Sequence, residues 1–195
     1  MQNEIELRIR NEISEKPIFL ISRLKDSEPT TLHFNNKDTS WVDTILQSIT
    51  AEYDTEENID EELKASLTVK RDSNSEFGEY LIVTGSVEGK YMASCVKCLD
   101  DSPQSFSTEF QGVYIHSRYE NDPEYEEVDD VFIEDKVLDL YFHERGKADL
   151  SEALTEAAVL AINPYPKCKE ECKGLCGQCG DCLLYTSPSP RDRSI

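Results

Sequence analysis

The sequence is poor in basic residues and has no long apolar stretch. Its 195 residues include 20 Lys and Arg against 40 Asp and Glu, which gives a formal net charge of −20. Proteins that bind a phosphate backbone across a broad surface are basic, so this composition argues against an RNA-coating protein and favours basic protein partners. No segment approaches the roughly 18 apolar residues of a spanning helix, so we expect no membrane association.

Residues and motifs typical of enzymes are also scarce. The three histidines, His33, His116 and His143, lie in no zinc-protease motif, and the sequence has no nucleophile elbow, P-loop or dinucleotide fingerprint. We therefore predict a protein without enzymatic activity or a small-molecule substrate. The first residues lack the apolar core of a signal peptide, which favours a cytoplasmic location where thiols stay reduced.

Cysteine, by contrast, is concentrated in two places. Cys95 and Cys98 form a C-x2-C pair in the stretch SCVKCLD. The other five lie in the stretch CKEECKGLCGQCGDC: Cys168, Cys172, Cys176, Cys179 and Cys182. Thiolates are preferred ligands of tetrahedral zinc, and the interleaved glycines allow the sharp turns of a chain that wraps an ion. The pattern predicts bound zinc as the cofactor.

The final stretch, CLLYTSPSPRDRSI, resembles the translation of a transposon-type sequencing adapter. We interpret residues 182–195 as an adapter-derived artefact that replaces the native C-terminus, although a natural Ser/Pro-rich tail has a similar composition. Without Cys182, six candidate metal ligands remain: Cys95, Cys98, Cys168, Cys172, Cys176 and Cys179.

Six ligands do not divide into sets of four, so two arrangements stay open. In one, the C-terminal cysteines form a single site and Cys95 and Cys98 stay apart. In the other, Cys95 and Cys98 join Cys168 and Cys172, and Cys176 and Cys179 need two further ligands. A rival interpretation makes Cys95 and Cys98 a thiol–disulfide or redox-sensing pair, but such pairs usually begin a helix after a βαβ strand, and this pair follows a predicted meander strand.

Hydrophobic periodicity predicts an α+β fold: a curled antiparallel β-sheet, a meander that could close like a barrel, with about two helices and a C-terminal cysteine-rich zinc knuckle. Three regions are expected: an N-terminal strand and helix region at 1–62, the meander, acidic linker, helix and knuckle at 63–181, and the artefact at 182–195.

Individual elements are predicted as well. The alternation of Ile5, Leu7 and Ile9 predicts a first strand, and an apolar stripe predicts a helix from Trp41 to about Tyr53. Strands are expected at 65–71, 79–87, 89–95 and 106–115, with turns near residues 75 and 88. A short edge strand is expected at 131–133, and a last helix starts after the N-cap Asp149 and stops by Asn163.

The cysteine motifs and the last helix together resemble the YceD family, across roughly residues 60–181. The matching residues are Cys95, Lys97, Cys98, Leu99, Asp149, Leu150, Pro164, Pro166, Cys168, Cys172, Gly174, Leu175, Cys176, Cys179 and Gly180. Two departures stand out. The PYP stretch is shorter than the family's Pro-x-x-Pro, and the adapter-like sequence stands where many relatives continue with a Cys-x-Cys pair.

The resemblance implies a role in biogenesis of the large ribosomal subunit, in the synthesis, processing or stability of its 23S rRNA. The expected partner is therefore that rRNA or a pre-ribosomal particle. The family's gene often neighbours that of a small basic ribosomal protein. Together with the net charge of the chain, this suggests an acidic escort of such a protein as an alternative.

Overall fold

The computed structural model describes residues 13, 15–24, 28–51, 53, 61–125 and 127–175. The predicted strand around Ile5–Ile9, the cysteines Cys176 and Cys179 and the segment 182–195 lie outside these residues. The strands are β1 (Ile18–Leu20), β2 (Thr30–Asn35), β3 (Glu62–Asn74), β4 (Gly78–Ser94), β5 (Asp101–His116), β6 (Asp130–Ile133), β7 (Lys136–His143) and β8 (Lys147–Asp149). The α-helices delimited within the described residues are α1 (Ser40–Thr50) and α2 (Leu150–Ala161).

Six of the strands form one sheet in the order β2-β3-β4-β5-β7-β6, and β1 pairs with β8 in a separate ribbon. The predicted α+β class and the antiparallel meander β3-β4-β5 are confirmed. The barrel-like expectation is wrong, because the edge strands β2 and β6 do not pair with each other and the sheet stays open. The sheet is also mixed rather than purely antiparallel, since β7 runs parallel to β5.

The predicted turn near Glu88–Gly89 is wrong, because β4 runs unbroken through it. A Cβ atom at Gly89 would lie 2.2 Å from Cε1 of Phe106, so the Phe106 ring occupies the space of the missing side chain. Gly89 therefore serves close packing within a strand rather than a turn. The turn that the sequence did not reveal joins β6 to β7 at Glu134 and Asp135, which both have positive φ, as a two-residue hairpin loop requires.

The larger core lies where α1 and α2 pack on one face of the sheet. Trp41, on the apolar stripe of α1, is a core residue, and its indole Nε1 donates a hydrogen bond of 2.8 Å to the backbone oxygen of Ile13. The opposite face holds a smaller apolar cluster around Phe77 and Leu138, covered by the β6–β7 hairpin. No helix within the described ranges is long and apolar enough to cross a membrane.

Helix α2 begins as the sequence predicts. The carboxylate of Asp149 accepts a hydrogen bond of 3.0 Å from the backbone N–H of Ser151, which caps the first turn. The helix ends at Ala161, just before Pro164. Because α2 packs against β4 and β5, the chain that leaves it arrives beside the β4–β5 hairpin.

Candidate metal centre

The first half of the site is the tight turn between β4 and β5. The backbone N–H of Cys95 donates to the oxygen of Asp100, and the N–H of Leu99 donates to the oxygen of Cys95, both at 2.9 Å. Leu99 adopts a left-handed conformation with φ of 65°. This turn brings Cys95 and Cys98 to the same side of the hairpin end, where both are buried.

The second half comes from the segment after α2, which is held against the hairpin by backbone contacts. The N–H of Val96 donates to the oxygen of Pro166 at 2.9 Å, and the side-chain amide of Gln104 donates to the oxygen of Lys167 at 3.3 Å. These contacts hold the chain in place just before Cys168. A turn closed by the N–H of Cys172 and the oxygen of Lys169 follows at once.

Four sulfurs meet between these two segments, those of Cys95, Cys98, Cys168 and Cys172, all within 4.8 Å of one another. The sulfurs of Cys98 and Cys168 are 3.5 Å apart, and those of Cys95 and Cys172 are 3.8 Å apart. A disulfide needs about 2.05 Å, so all four are free thiols. Tetrahedral zinc with sulfur ligands at about 2.3 Å places them about 3.8 Å apart, so this donor set fits the ion.

Polar groups near the sulfur of Cys95 stabilise its thiolate form, the form that would bind a metal ion. The backbone N–H of Lys97 points at Sγ of Cys95 at 3.5 Å, and the Lys97 ammonium donates to the backbone oxygen of Cys172 at 3.0 Å. Burial opposes ionisation of Cys95, but N–H groups of Cys168, Lys97 and Cys98 outweigh it, and its pKa lies below the usual range. Burial raises the pKa of Cys98 and of Cys168, as expected where one charge is shared among close thiols.

Gly174 lets the chain leave the site close to the hairpin. Its φ of 81° is left-handed, and a Cβ atom there would lie 3.1 Å from the backbone oxygen of Lys97. The sequence marked Gly174 as a turning position next to the cysteines. It gave no sign of Asp100, whose carboxylate lies 3.3 Å from Sγ of Cys98, because a single acid in an acidic chain does not stand out.

Of the six cysteines predicted as metal ligands, the structure brings four together and does not describe Cys176 and Cys179. The arrangement is the one in which Cys95 and Cys98 join Cys168 and Cys172. The metal itself and the role of Cys176 and Cys179 stay predictions.

Comparison with known protein families gives a match over the C-terminal half of the chain. Residues 83–187, more than half of the chain, match the family described as Large ribosomal RNA subunit accumulation protein YceD. The matched range contains all six predicted ligands and ends inside the segment interpreted as adapter-derived. No curated protein and no solved structure was found to match the chain.

Proposed function

The chain belongs to the YceD family of large ribosomal RNA subunit accumulation proteins, and we propose that it is a non-enzymatic factor in biogenesis of the large ribosomal subunit. Its task would be to support the synthesis, processing or stability of 23S rRNA. The observation that carries this proposal is the family match across residues 83–187, which includes both cysteine segments. The burial of three of the four gathered thiols supports a structural rather than a catalytic use of the cysteines.

Zinc is the proposed metal, held by Cys95, Cys98, Cys168 and Cys172. The four sulfurs are of the type and spacing that the ion prefers, and four protein ligands leave no open position for a substrate. The bound ion supplies a cross-link between the β4–β5 hairpin and the segment after α2. Cys176 and Cys179 stay candidate ligands of a second ion, together with two ligands from elsewhere.

Metal content tests this assignment directly. The purified wild-type chain is expected to carry at least one zinc per chain by mass spectrometry, and Cys98→Ser or Cys168→Ser is expected to lose it. Cys182→Ser provides a matched control outside the predicted ligand set. Two ions per chain, with one lost in a Cys176→Ser variant, would support the second site. A fully folded chain without metal would overturn the zinc proposal.

An acidic escort of a small basic ribosomal protein is the second proposed role, and the net charge of −20 supports it. Such an escort would neutralise and solubilise its partner before that partner reaches the RNA. Co-purification at low salt is expected to recover a basic ribosomal protein that high salt releases. Recovery of RNA alone would contradict the escort role.

The ribosomal role is tested by removing the gene from its host. We expect the ratio of large-subunit to small-subunit rRNA to fall, together with the free large-subunit peak in a sucrose gradient. The wild-type gene should restore both, whereas Cys98→Ser should not. An unchanged ratio in the deletion strain would contradict the proposal.

The redox interpretation of Cys95 and Cys98 predicts different behaviour. The pair lies in a turn between antiparallel strands rather than at the start of a helix, where thiols become reactive. Stoichiometric zinc and no reaction of Cys95 with a thiol reagent would favour the metal site. A zinc-free chain with a fast-reacting Cys95 would favour the redox protein.

A further inference from the structure

The edge strand β6 has a free hydrogen-bonding side. Within the described part of the chain, β6 pairs only with β7. The N–H of Leu140 donates to the oxygen of Asp129 at 2.8 Å, and Val131 lies opposite Leu138. In an antiparallel pair the bonded positions alternate, so the N–H and C=O groups of Asp130 and Phe132 point away from β7.

The outward face of the same hairpin carries exposed apolar side chains. Phe132 and Val137 are direct cross-strand partners, and their side chains are 69% and 55% exposed. Val131 and Ile133, which alternate with these positions, are buried in the smaller core. An edge strand that exposes a phenylalanine to solvent is unusual, because exposed apolar edges tend to pair with a strand of another chain.

Carboxylates flank this apolar pair. Asp130 lies directly opposite Asp139, so two like charges face each other across the strands. Burial, Glu156 and Asp130 raise the pKa of Asp139, which shows that the negative charges compete. No described Lys or Arg side chain forms an ion pair with these three carboxylates. Positive charge at this edge would relieve the repulsion.

We propose that the free edge of β6 takes an extended, basic segment of a partner polypeptide as an additional β strand. The partner backbone would bond to the outward groups of Asp130 and Phe132, its apolar side chains would pack beside Phe132, and its cations would lie beside Asp130, one strand away from Asp139. The inference rests on the escort role proposed above and names the surface and the partner chemistry for it.

Other occupants fit less well. A second copy of this chain would bring its own Asp130 and Asp139 against the same carboxylates, so like charges oppose self-pairing. RNA would place phosphates beside the same acids and offers no strand backbone. A basic, extended polypeptide matches the charge, the apolar pair and the hydrogen-bonding edge together.

The test uses the full chain and a fluorescein-labelled peptide that repeats two lysines and two valines, so that each face of the extended peptide carries both residue types. We expect saturable binding that weakens with salt. We also expect slower hydrogen exchange at the Phe132 amide. A second peptide has the same sequence and charge, but the backbone nitrogens that would face β6 are methylated. It can no longer donate backbone hydrogen bonds to β6, so we expect it to bind about tenfold more weakly than the unmodified peptide.

Two variants separate backbone from side-chain effects. Phe132→Ala removes the aromatic ring, and Phe132→Pro removes both the aromatic ring and the outward backbone N–H. The hydrogen bonds between β6 and β7 use other residues and should remain in both variants. We expect Phe132→Pro to bind several-fold more weakly than Phe132→Ala, with both folded by circular dichroism. Asp130→Asn is expected to reduce the salt dependence. Leu160→Ala, at an exposed apolar position on α2, is the matched control and should bind as the wild type does.

The outcomes are distinct. Equal binding by the two Phe132 variants, or equal binding of the N-methylated peptide, would overturn the edge-strand inference. Binding of a short RNA in place of the peptide would overturn it as well. None of these results would contradict the proposed ribosomal role, because that role is tested separately by rRNA levels in cells. Normal rRNA in the deletion strain, with peptide binding intact, would overturn that role and leave the edge assignment standing.

Discussion

Lys97 and Cys172 are joined by a hydrogen bond of 3.0 Å from the lysine ammonium to the cysteine backbone oxygen, across 75 positions of sequence. The contact links the two halves of the sulfur cluster without using a sulfur. It also holds the lysine ammonium against the backbone of one of the four gathered cysteines. Lys97 is therefore a positioning residue of the site.

Replacing Lys97 with methionine should weaken zinc binding by about tenfold and keep the fold. Residues that orient ligands without binding the metal commonly contribute this much. Competition with a chromogenic zinc chelator measures the affinity. Lys167→Met is the matched control, because Lys167 contacts Gln104 through its backbone oxygen and not its side chain. Equal losses in both variants would show that only the general loss of positive charge matters.

Replacing Gly174 with alanine should destabilise the chain by about 1–2 kcal/mol. A side chain in the left-handed region costs free energy, and the added Cβ would crowd the Lys97 oxygen. Gly146→Ala is the matched control: Gly146 has φ of 73°, but an added Cβ would meet no atom of the described part of the chain within 4 Å. Urea unfolding of the zinc-loaded protein should show a larger loss for Gly174→Ala. An equal loss of stability in both variants would mean that the left-handed backbone conformation alone, and not the contact with Lys97, accounts for the effect of Gly174→Ala.

Replacing Tyr114 with phenylalanine should lower the stability by about 1 kcal/mol, which is about 2–4 °C in Tm for a chain of this size. The buried Tyr114 hydroxyl donates a hydrogen bond of 2.7 Å to the backbone oxygen of Asp149, and the variant leaves that oxygen without it. Tyr165→Phe, at an exposed position, should leave Tm unchanged. A wild-type Tm for Tyr114→Phe would mean that water replaces the hydroxyl.

His143 should make the folded state sensitive to mild acid. The residue is 5% exposed, and its Nε2 is buried without a hydrogen-bond partner among the residues that the structure describes. Burial and the nearby His116 lower the pKa of His143. The unfolded chain therefore binds a proton more readily, and this contribution to stability is lost as the pH falls below about 6.5.

Urea unfolding from about pH 5.5 to about pH 7.5 measures this effect. His143→Phe should unfold with a shallower pH dependence than the wild type over this range. His33→Gln, at an exposed position on β2, is the matched control and should follow the wild-type curve. An unchanged slope in His143→Phe would assign the pH dependence to other groups.

Much of the fold could be predicted because its signals are local. The apolar stripe that begins at Trp41 and the Asp149 cap gave both helices, and the alternation from Phe106 gave β5. The continuity of β4 through Gly89 could not be predicted, because it depends on a ring contributed by the next strand. The parallel pairing of β7 with β5 depends on a connection through 117–135, which the sequence shows only as an acidic run.

The candidate site divides in the same way. The sequence placed Cys95 and Cys98 directly after a meander strand, and the structure places the pair in the turn that follows β4. Which C-terminal cysteines approach them could not be decided from spacing alone. That choice follows from the direction in which α2 delivers the chain and from the bond between Val96 and Pro166.

The separation between the two halves of the sulfur cluster also sets an order of events during synthesis. Cys172 follows Cys95 by 77 positions, so it leaves the ribosome about 4–15 s later at ordinary rates of translation. During this interval only two of the four thiols, those of Cys95 and Cys98, are certain to have been synthesised. A complete metal site can form only after translation has passed Cys172. If the proposed zinc site is correct, tight metal retention would therefore distinguish chains that have been translated through this point from shorter nascent chains.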